Sequence, residues 1–540
     1  MADGDSKVWQ ANHAGLQRPL MPRREFLYAS GAVGALVASR LAASASSHST
    51  TTRQARPVWL AGPGAAPTQS DWNALRNQLS THRLYQPGQN GYALAHQLFS
   101  PQFDSLQPSG VAYCKTAADV ALCLHFVTKF GLAVRMRSGG HSYGGWSSVT
   151  GGLILDVTEM NSMTLGAGTV TVGTGIDLIN FYGGLAAHGK AVPGGSCPTV
   201  GIAGLALGGG IGVLSRIYGL TCDNLRSLEV VTASGDTLRC SPTSNEPLYW
   251  ACRGGGGGNF GVATSFTFGT HDLTHLVLFF VYWPWSQAGR VVKGWQSWIP
   301  HEPNALWSNL HLSAEFGHLP SSVLVGGTFI GSTAAAQAEL DKLYHLVGIA
   351  PSSASVVEHT FLDAMLHEAD CSVPVNKCDT PPGGNLPRVP FYAKSDFFSK
   401  PLSSSGINAL IVGINRLRSI TGATNGTGSI AFDALGGAVN KVPPGATAFV
   451  HRDALFSAQY YTDWAWPGTA AGRANQLAWI RAYYKAIHPN ANGQAYQNYP
   501  DPDLVNWRQA YYGANYPMLQ TVKATYDPKG LFKFPQGITA

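Results

Sequence analysis

Between residues 137 and 261 the chain carries three glycine-rich loops, each set against segments that read as strands. Glycine clusters contribute nothing to a core, but they let backbone N–H groups approach a bound molecule closely. They constrain the fold more than any other feature: short strands and helices must bring these loops together around a ligand. The first loop is Arg137-Ser138-Gly139-Gly140-His141-Ser142-Tyr143-Gly144-Gly145, following an apolar strand predicted at 132–134. The second runs from Pro193 through Cys197, Val200, Gly201, Gly204 and Leu205 to Gly212, with eight glycines around a single cysteine. The third spans 253–261 and includes Asn259.

Each loop excludes some chemistry. Successive glycines in the first form an anion-binding nest suited to a pyrophosphate, or a plain turn. Its Gly140-His-Ser142-Tyr-Gly144 also matches a nucleophile elbow, which makes an exported serine hydrolase using Ser142 a competing class. That elbow needs a helix directly after the serine, and Gly145-Trp-Ser-Ser-Val-Thr-Gly-Gly will not form one. In the second loop, residues 204–209 read G-x-x-x-G-G, which leaves a dinucleotide fingerprint unsupported, and Cys197 alone reads as a buried small hydrophobe. The third loop lacks the Lys-Ser/Thr of a P-loop. With neither H-E-x-x-H nor paired C-x-x-C present, no metal site is expected. Cys371 and Cys378 enclose a polar loop and read either as a disulfide or as two thiols.

Organisation along the chain favours α+β over a doubly wound sheet, because short strands and helices mix without a βαβ period. Apolar residues at helical spacing predict a helix over 117–130, and strands are expected at 153–157, 169–172, 229–233 and 264–268. Near residue 276 the texture changes to a strongly apolar, aromatic strand followed by a helix carrying Trp295 and Trp298. Arg23-Arg24, a short uncharged stretch and a small-residue run ending at Ala45 read as a twin-arginine signal peptide, with Met21 an alternative start to Met1. The expected partner is then the twin-arginine translocation machinery, and the expected location secreted or periplasmic. The apolar stretch is too short for a membrane span, which needs ~20 residues. Hydrophobic residues make up 45% and charged residues 12%, which excludes intrinsic disorder. A net charge of +6 without any Lys/Arg run gives nucleic acid nothing to bind. The 14 Trp and 21 Tyr suit flat, weakly charged ligands instead.

Taken together and in order, these stretches resemble the berberine bridge enzyme-like oxidases of the vanillyl alcohol oxidase superfamily. The resemblance rests on 137–145, 194–223, 248–262 and the tail from Tyr496-Gln-Asn498-Tyr499-Pro through Tyr516 to Phe534-Pro-Gln536. It implies a two-part FAD-binding domain of the PCMH type and an α+β substrate domain with an antiparallel sheet. The corresponding bounds are a signal peptide at 1–45, a linker and first part of the FAD domain at 46–105, and its body at 106–275. The substrate domain follows at 276–488, and the segment 489–540 returns to the FAD domain.

Many members attach the flavin twice, and His141 and Cys197 stand at those positions, for the 8α-methyl and C6 respectively. The resemblance further implies that Arg137, Ser138, Gly139, Gly140 and Ser142 lie along the pyrophosphate. Gly201, Gly204, Leu205, Val262 and Asn498 are expected along the cofactor, with Val200 at the oxygen gate. A small gate residue resembles oxidases, so O2 is the expected acceptor and hydrogen peroxide the product. Tyr499 corresponds to the base, Asp433 to its partner in sugar-oxidising relatives, and Tyr143 and Gln459 to substrate-facing positions. A glutamine expected two residues before Asp433 is Ala431 here. The leading expectation is an exported FAD-dependent oxidase of a saccharide or glycosylated natural product. Oxidation or oxidative cyclisation of a phenolic or polyketide-like metabolite is the alternative on the same fold. A flavin- or carbohydrate-binding protein without catalysis is a third reading.

Overall fold

The computed structural model describes residues 64–318, 320–371, 375–420 and 426–540. The twin-arginine segment and the first part of the 46–105 stretch lie outside the described residues. Ala117–Phe130 is a helix, begun by a capping box between Thr116 and Asp119 and ended by Gly131 in the left-handed conformation. Its buried Val120, Leu124 and Val127 pack on a four-stranded sheet. There Gly110–Tyr113 and Val134–Arg137 both run parallel to Leu153–Asp156, which lies between them. A βαβ unit is therefore present within the α+β fold. Its central strand arrives last in the chain, so no βαβ period is visible in sequence.

A second, antiparallel sheet orders Met163–Gly166, Thr169–Gly173, Val262–Gly269, Leu225–Val231 and Thr237–Cys240. From His275–Pro284 onward the chain builds a seven-stranded antiparallel sheet. Its central strands are Ser322–Phe329, Leu306–Glu315, Thr427–Ala434 and Phe456–Asp463, with Phe391–Phe398 at one edge. Four helices, Ala288–Trp298, Thr333–Val347, Ser404–Asn415 and Ala470–Ile487, cover one face and bury Trp295 and Trp298. On Leu306–Glu315, Thr427–Ala434 and Phe456–Asp463, Asn309, His311, Ala431, Asp433 and Gln459 stay only half-buried at alternate positions, and this second face lines one cavity with the glycine loops. The overall class is α+β.

Two buried cations tie these parts together. Arg216 donates to the carbonyls of Leu306, Leu435 and Glu302 at 2.5–2.7 Å, joining the end of the second loop to the large sheet. Arg452 makes a two-pronged pair with Asp223 at 2.7 and 2.8 Å. Cys371 and Cys378 are joined as a disulfide. No helix among the described residues is long and apolar enough to cross a membrane.

Candidate active site

The first loop leaves the strand Val134–Arg137 as an irregular turn, with Gly140 at φ +70°. Arg137 anchors it: the guanidinium pairs with Asp156 and donates to the carbonyls of Ala95 and Gln97 at 2.7 and 3.1 Å. Its charge is therefore spent within the protein, although the residue borders the cavity. Ser138 Oγ likewise donates to the Thr174 carbonyl at 2.9 Å. Among the described residues, no hydrogen bond from the backbone N–H groups of Ser138 through Ser142 ends on a protein acceptor. Five donors on one turn are thus left for a ligand, and all five residues line the cavity.

The second loop is wedged against the first. A Cβ on Gly201 would lie 1.9 Å from Ser138 Oγ, and one on Gly139 would lie 2.3 Å from the Gly201 nitrogen. These two glycines serve the loop-to-loop contact as much as any ligand. Gly204 is different, since a Cβ there would meet no protein atom within 4 Å and would project into open space. Facing it, a Cβ on Gly257 of the third loop would come 3.8 Å from the Gly204 Cα. The two bare backbones lie side by side on the cavity wall, where a ligand can approach them closely.

His141 and Cys197 both border this cavity, as do Val200, Leu205 and Val262. The His141 ring stacks on Phe99 at 4.1 Å, and its Nε2 bonds the Thr199 hydroxyl at 2.8 Å, two residues beyond Cys197. Burial lowers the imidazole pKa to about 3, so the ring is neutral, with Nδ1 as its remaining nitrogen. Asn498 spends its amide on the Leu205 carbonyl and the Tyr496 hydroxyl, both at 3.0 Å. Tyr496 Oη also accepts from the Gly210 N–H at 2.9 Å, which pins the terminal segment to the second loop.

Beyond the loops, the half-open face of the seven-stranded sheet closes the cavity. Register places Asn309, Asp433 and Ser457 side by side, and His311, Ala431 and Gln459 beside them. The terminal segment lays Tyr499 over this face, stacked on Tyr143 with centroids 5.0 Å apart and planes within 5°. Gln459 Nε2 donates to Tyr143 Oη at 2.6 Å. Burial pushes the Tyr499 phenol well above its ordinary value, with Tyr143 and Asp433 adding to the rise. Asp433 is itself pushed up to about 7 by burial. Among the described residues no hydrogen bond joins Tyr499 directly to Asp433.

Ser142 does not belong to a nucleophile elbow. Its Oγ accepts from the Trp146 N–H at 3.1 Å, no helix follows, and among the described residues no histidine or carboxylate bonds it. Sequence reasoning missed Trp307, Asn309, His311 and Glu368, all of which line the cavity. The first three recur every second residue on one strand, which was their only signal. Glu368 ends the helix Phe361–Glu368 and carried none.

Comparison with known proteins accounts for this arrangement. Residues 108–241 match the family model described as FAD binding domain, and residues 495–539 match the one described as Berberine and berberine like. An uncharacterized FAD-linked oxidoreductase of Bacillus subtilis, YvdP, is 34% identical over 467 residues, covering 85% of this chain and 98% of that protein. Chitooligosaccharide oxidase of Gibberella zeae is 29% identical over 454 residues, covering 80% of this chain and 87% of that protein. Among solved structures, BBE-like 1 of Physcomitrella patens superposes with a TM-score of 0.76 at 30% identity, covering 84% of this chain and 96% of that one. The chain belongs to the berberine bridge enzyme-like FAD-linked oxidoreductases, and it is an FAD-dependent oxidase.

Proposed function

We propose that the protein oxidises an alcohol or hemiacetal carbon of a saccharide or glycosylated natural product, with O2 as acceptor and hydrogen peroxide as product. One observation carries this reading: the His141–Cys197 loops and the polar sheet face bearing Asp433 and Gln459 border a single cavity. Similarity to a chitooligosaccharide oxidase over most of both chains supports the substrate class. When bound, FAD supplies the hydride acceptor and passes the electrons on to O2.

The protein's own residues do the rest. The backbone N–H groups of 138–142 hold the pyrophosphate. The neutral His141, through Nδ1, and Cys197, through Sγ, hold the isoalloxazine covalently. Val200, small for a gate, keeps a path for O2. In the substrate complex the reacting hydroxyl gives its proton to Tyr499 Oη while the phenolic proton passes to Asp433. A relay is required because a phenol raised this far by burial does not ionise alone near neutrality. Gln459 holds Tyr143 against Tyr499 and so fixes the ring that performs the transfer. Export through the twin-arginine route is part of the proposal. The Arg23-Arg24 segment supports it, as does the Cys371–Cys378 disulfide, a bond favoured in oxidising compartments.

Acid precipitation of the purified protein tests the attachment, and oligosaccharide-dependent peroxide release tests the activity. Wild-type protein should give a yellow pellet and peroxide. The double variant His141→Ala/Cys197→Ala should release any colour to the supernatant. Acid-stable flavin in that variant would refute both linkages, and absence of peroxide with every saccharide would refute the substrate class.

A further inference from the structure

Glu368 has no role in the relay just described, yet it is one of the most conspicuous groups in the cavity. Only 9% of it is exposed, and its Oε1 meets no hydrogen-bond partner. It sits at the last position of its helix, where the macrodipole presents its negative end and an anion is disfavoured. Asp433 borders the same cavity and adds like-charge repulsion. Asn309 Oδ1, on the same lining, is a second buried acceptor without a partner.

Among the described residues, no ion pair is made by Glu368. The sheet face that lines the same cavity offers Trp307, Asn309, His311, Ala431 and Gln459, and burial holds His311 neutral with a pKa of about 4. The basic residues that border the cavity, Arg135, Arg137 and Lys533, come from the strand before the first loop and from the terminal segment, and Arg137 is paired to Asp156. A buried carboxyl without a partner stays protonated or waits for a positive charge. A hydroxyl ligand would supply donors to Glu368 and Asn309 but would do nothing to hold the carboxyl ionised. An ammonium supplies both: three N–H donors and the missing cation.

We infer that the substrate cavity selects a saccharide or glycoside carrying a protonated amine, which Glu368 binds as the counter-ion. This rests on the proposed saccharide oxidation for its scaffold, whereas the amine contact is readable by binding alone. Burial and Asp433 push the Glu368 carboxyl up to about 7, so in the free protein near neutrality it is poised to ionise when a cation arrives.

The test compares a glucosamine oligosaccharide with its fully N-acetylated counterpart, measuring flavin reduction under substrate-limited conditions. Wild type should favour the free amine at least about tenfold in kcat/KM. Glu368→Gln should bring the ratio close to one through a higher KM for the amine, and Glu368→Asp should retain part of the preference. In parallel, anaerobic calorimetry with an amino alditol, on protein whose flavin has first been reduced and so cannot accept a hydride, reads binding without turnover. Equal use of the two saccharides by wild type, or an undiminished preference in Glu368→Gln, would overturn the inference. If neither saccharide reduces the flavin, the amine contact stands or falls on Glu368-dependent binding of the alditol, separately from the fate of saccharide oxidation.

Discussion

At the scale of single residues, the proposed chemistry turns on two acids whose pKa values burial has moved in the same direction. Tyr499 lies flat on Tyr143 and cannot shed its proton unaided, whereas Asp433, at about 7, changes state within the working range. If Asp433 must be ionised to accept the phenolic proton, flavin reduction rises with pH through about 7 and levels above it. The sign follows directly: the carboxylate is the active form, so activity is lost as pH falls. Asp433→Asn should slow reduction at least tenfold, ~1.4 kcal/mol of barrier, and remove this limb from the profile. Rapid-reaction measurements across pH decide it, and a variant that keeps the same limb would take Asp433 out of the relay. Stability runs the other way for this group. The folded state holds the proton more tightly than the unfolded chain, so its contribution is present below the ordinary carboxyl value, near 4, and is lost as pH rises through about 7. The Asn variant should accordingly melt higher than wild type above neutrality and gain little in acid.

At the scale of elements, the proposed cofactor site falls to the glycine loops because backbone, not side chain, would have to reach the ligand. Gly201→Ala would set a Cβ against Ser138 Oγ and the Gly139 nitrogen, driving the two loops apart. The expected result is a folded protein with unchanged far-ultraviolet circular dichroism and little bound flavin. Full flavin content would show that the loops yield at no cost. This dependence on backbone explains why the loop side of the cavity was legible in sequence: its glycines, His141 and Cys197 stand in short contiguous loops. The helix Ala117–Phe130 was legible too, since Thr116, Asp119 and Gly131 mark its ends locally. The substrate face was not. Trp307, Asn309 and His311 alternate like any half-exposed strand, and nothing local separates a solvent face from a cavity face. Glu368 joins them only because its helix packs against this sheet, a contact set by topology and invisible to any motif. The βαβ unit escaped for the same reason, its middle strand being supplied by residues 153–156 after the crossover.

At the scale of the whole molecule, the chain's end closes the site that its first half builds. Tyr496, Asn498 and Tyr499 reach the second loop and the sheet, and Phe534 and Gln536 complete the cavity wall. One buried cation fastens this return segment. Lys523, 2% exposed, donates to the carbonyls of Asn259 at 2.7 Å and Phe532 at 2.8 Å, and pairs with Asp527 at 2.7 Å. Asp527 in turn accepts from the N–H groups of Leu531 and Phe532, so the ammonium and carboxylate together hold the final turn of chain against the third glycine loop. Lys523→Met keeps the apolar stem and removes the charge, leaving Asp527 buried without its cation. Breaking such a pair costs about 3–5 kcal/mol, and here the loss falls first on the terminal residues, which have little other core. Limited proteolysis should therefore trim the variant after residue 527 under conditions that leave wild type intact. Bound flavin should become accessible to a soluble quencher in step with the trimming, because Phe534 leaves the cavity with the tail. A variant that melts lower but keeps both its tail and its flavin protected would place Lys523 in general stability alone. The closure would then rest on Ile538, whose N–H donates to Asn259 Oδ1 at 2.9 Å, and on Gln536, bonded to the Asp501 carbonyl at 2.7 Å.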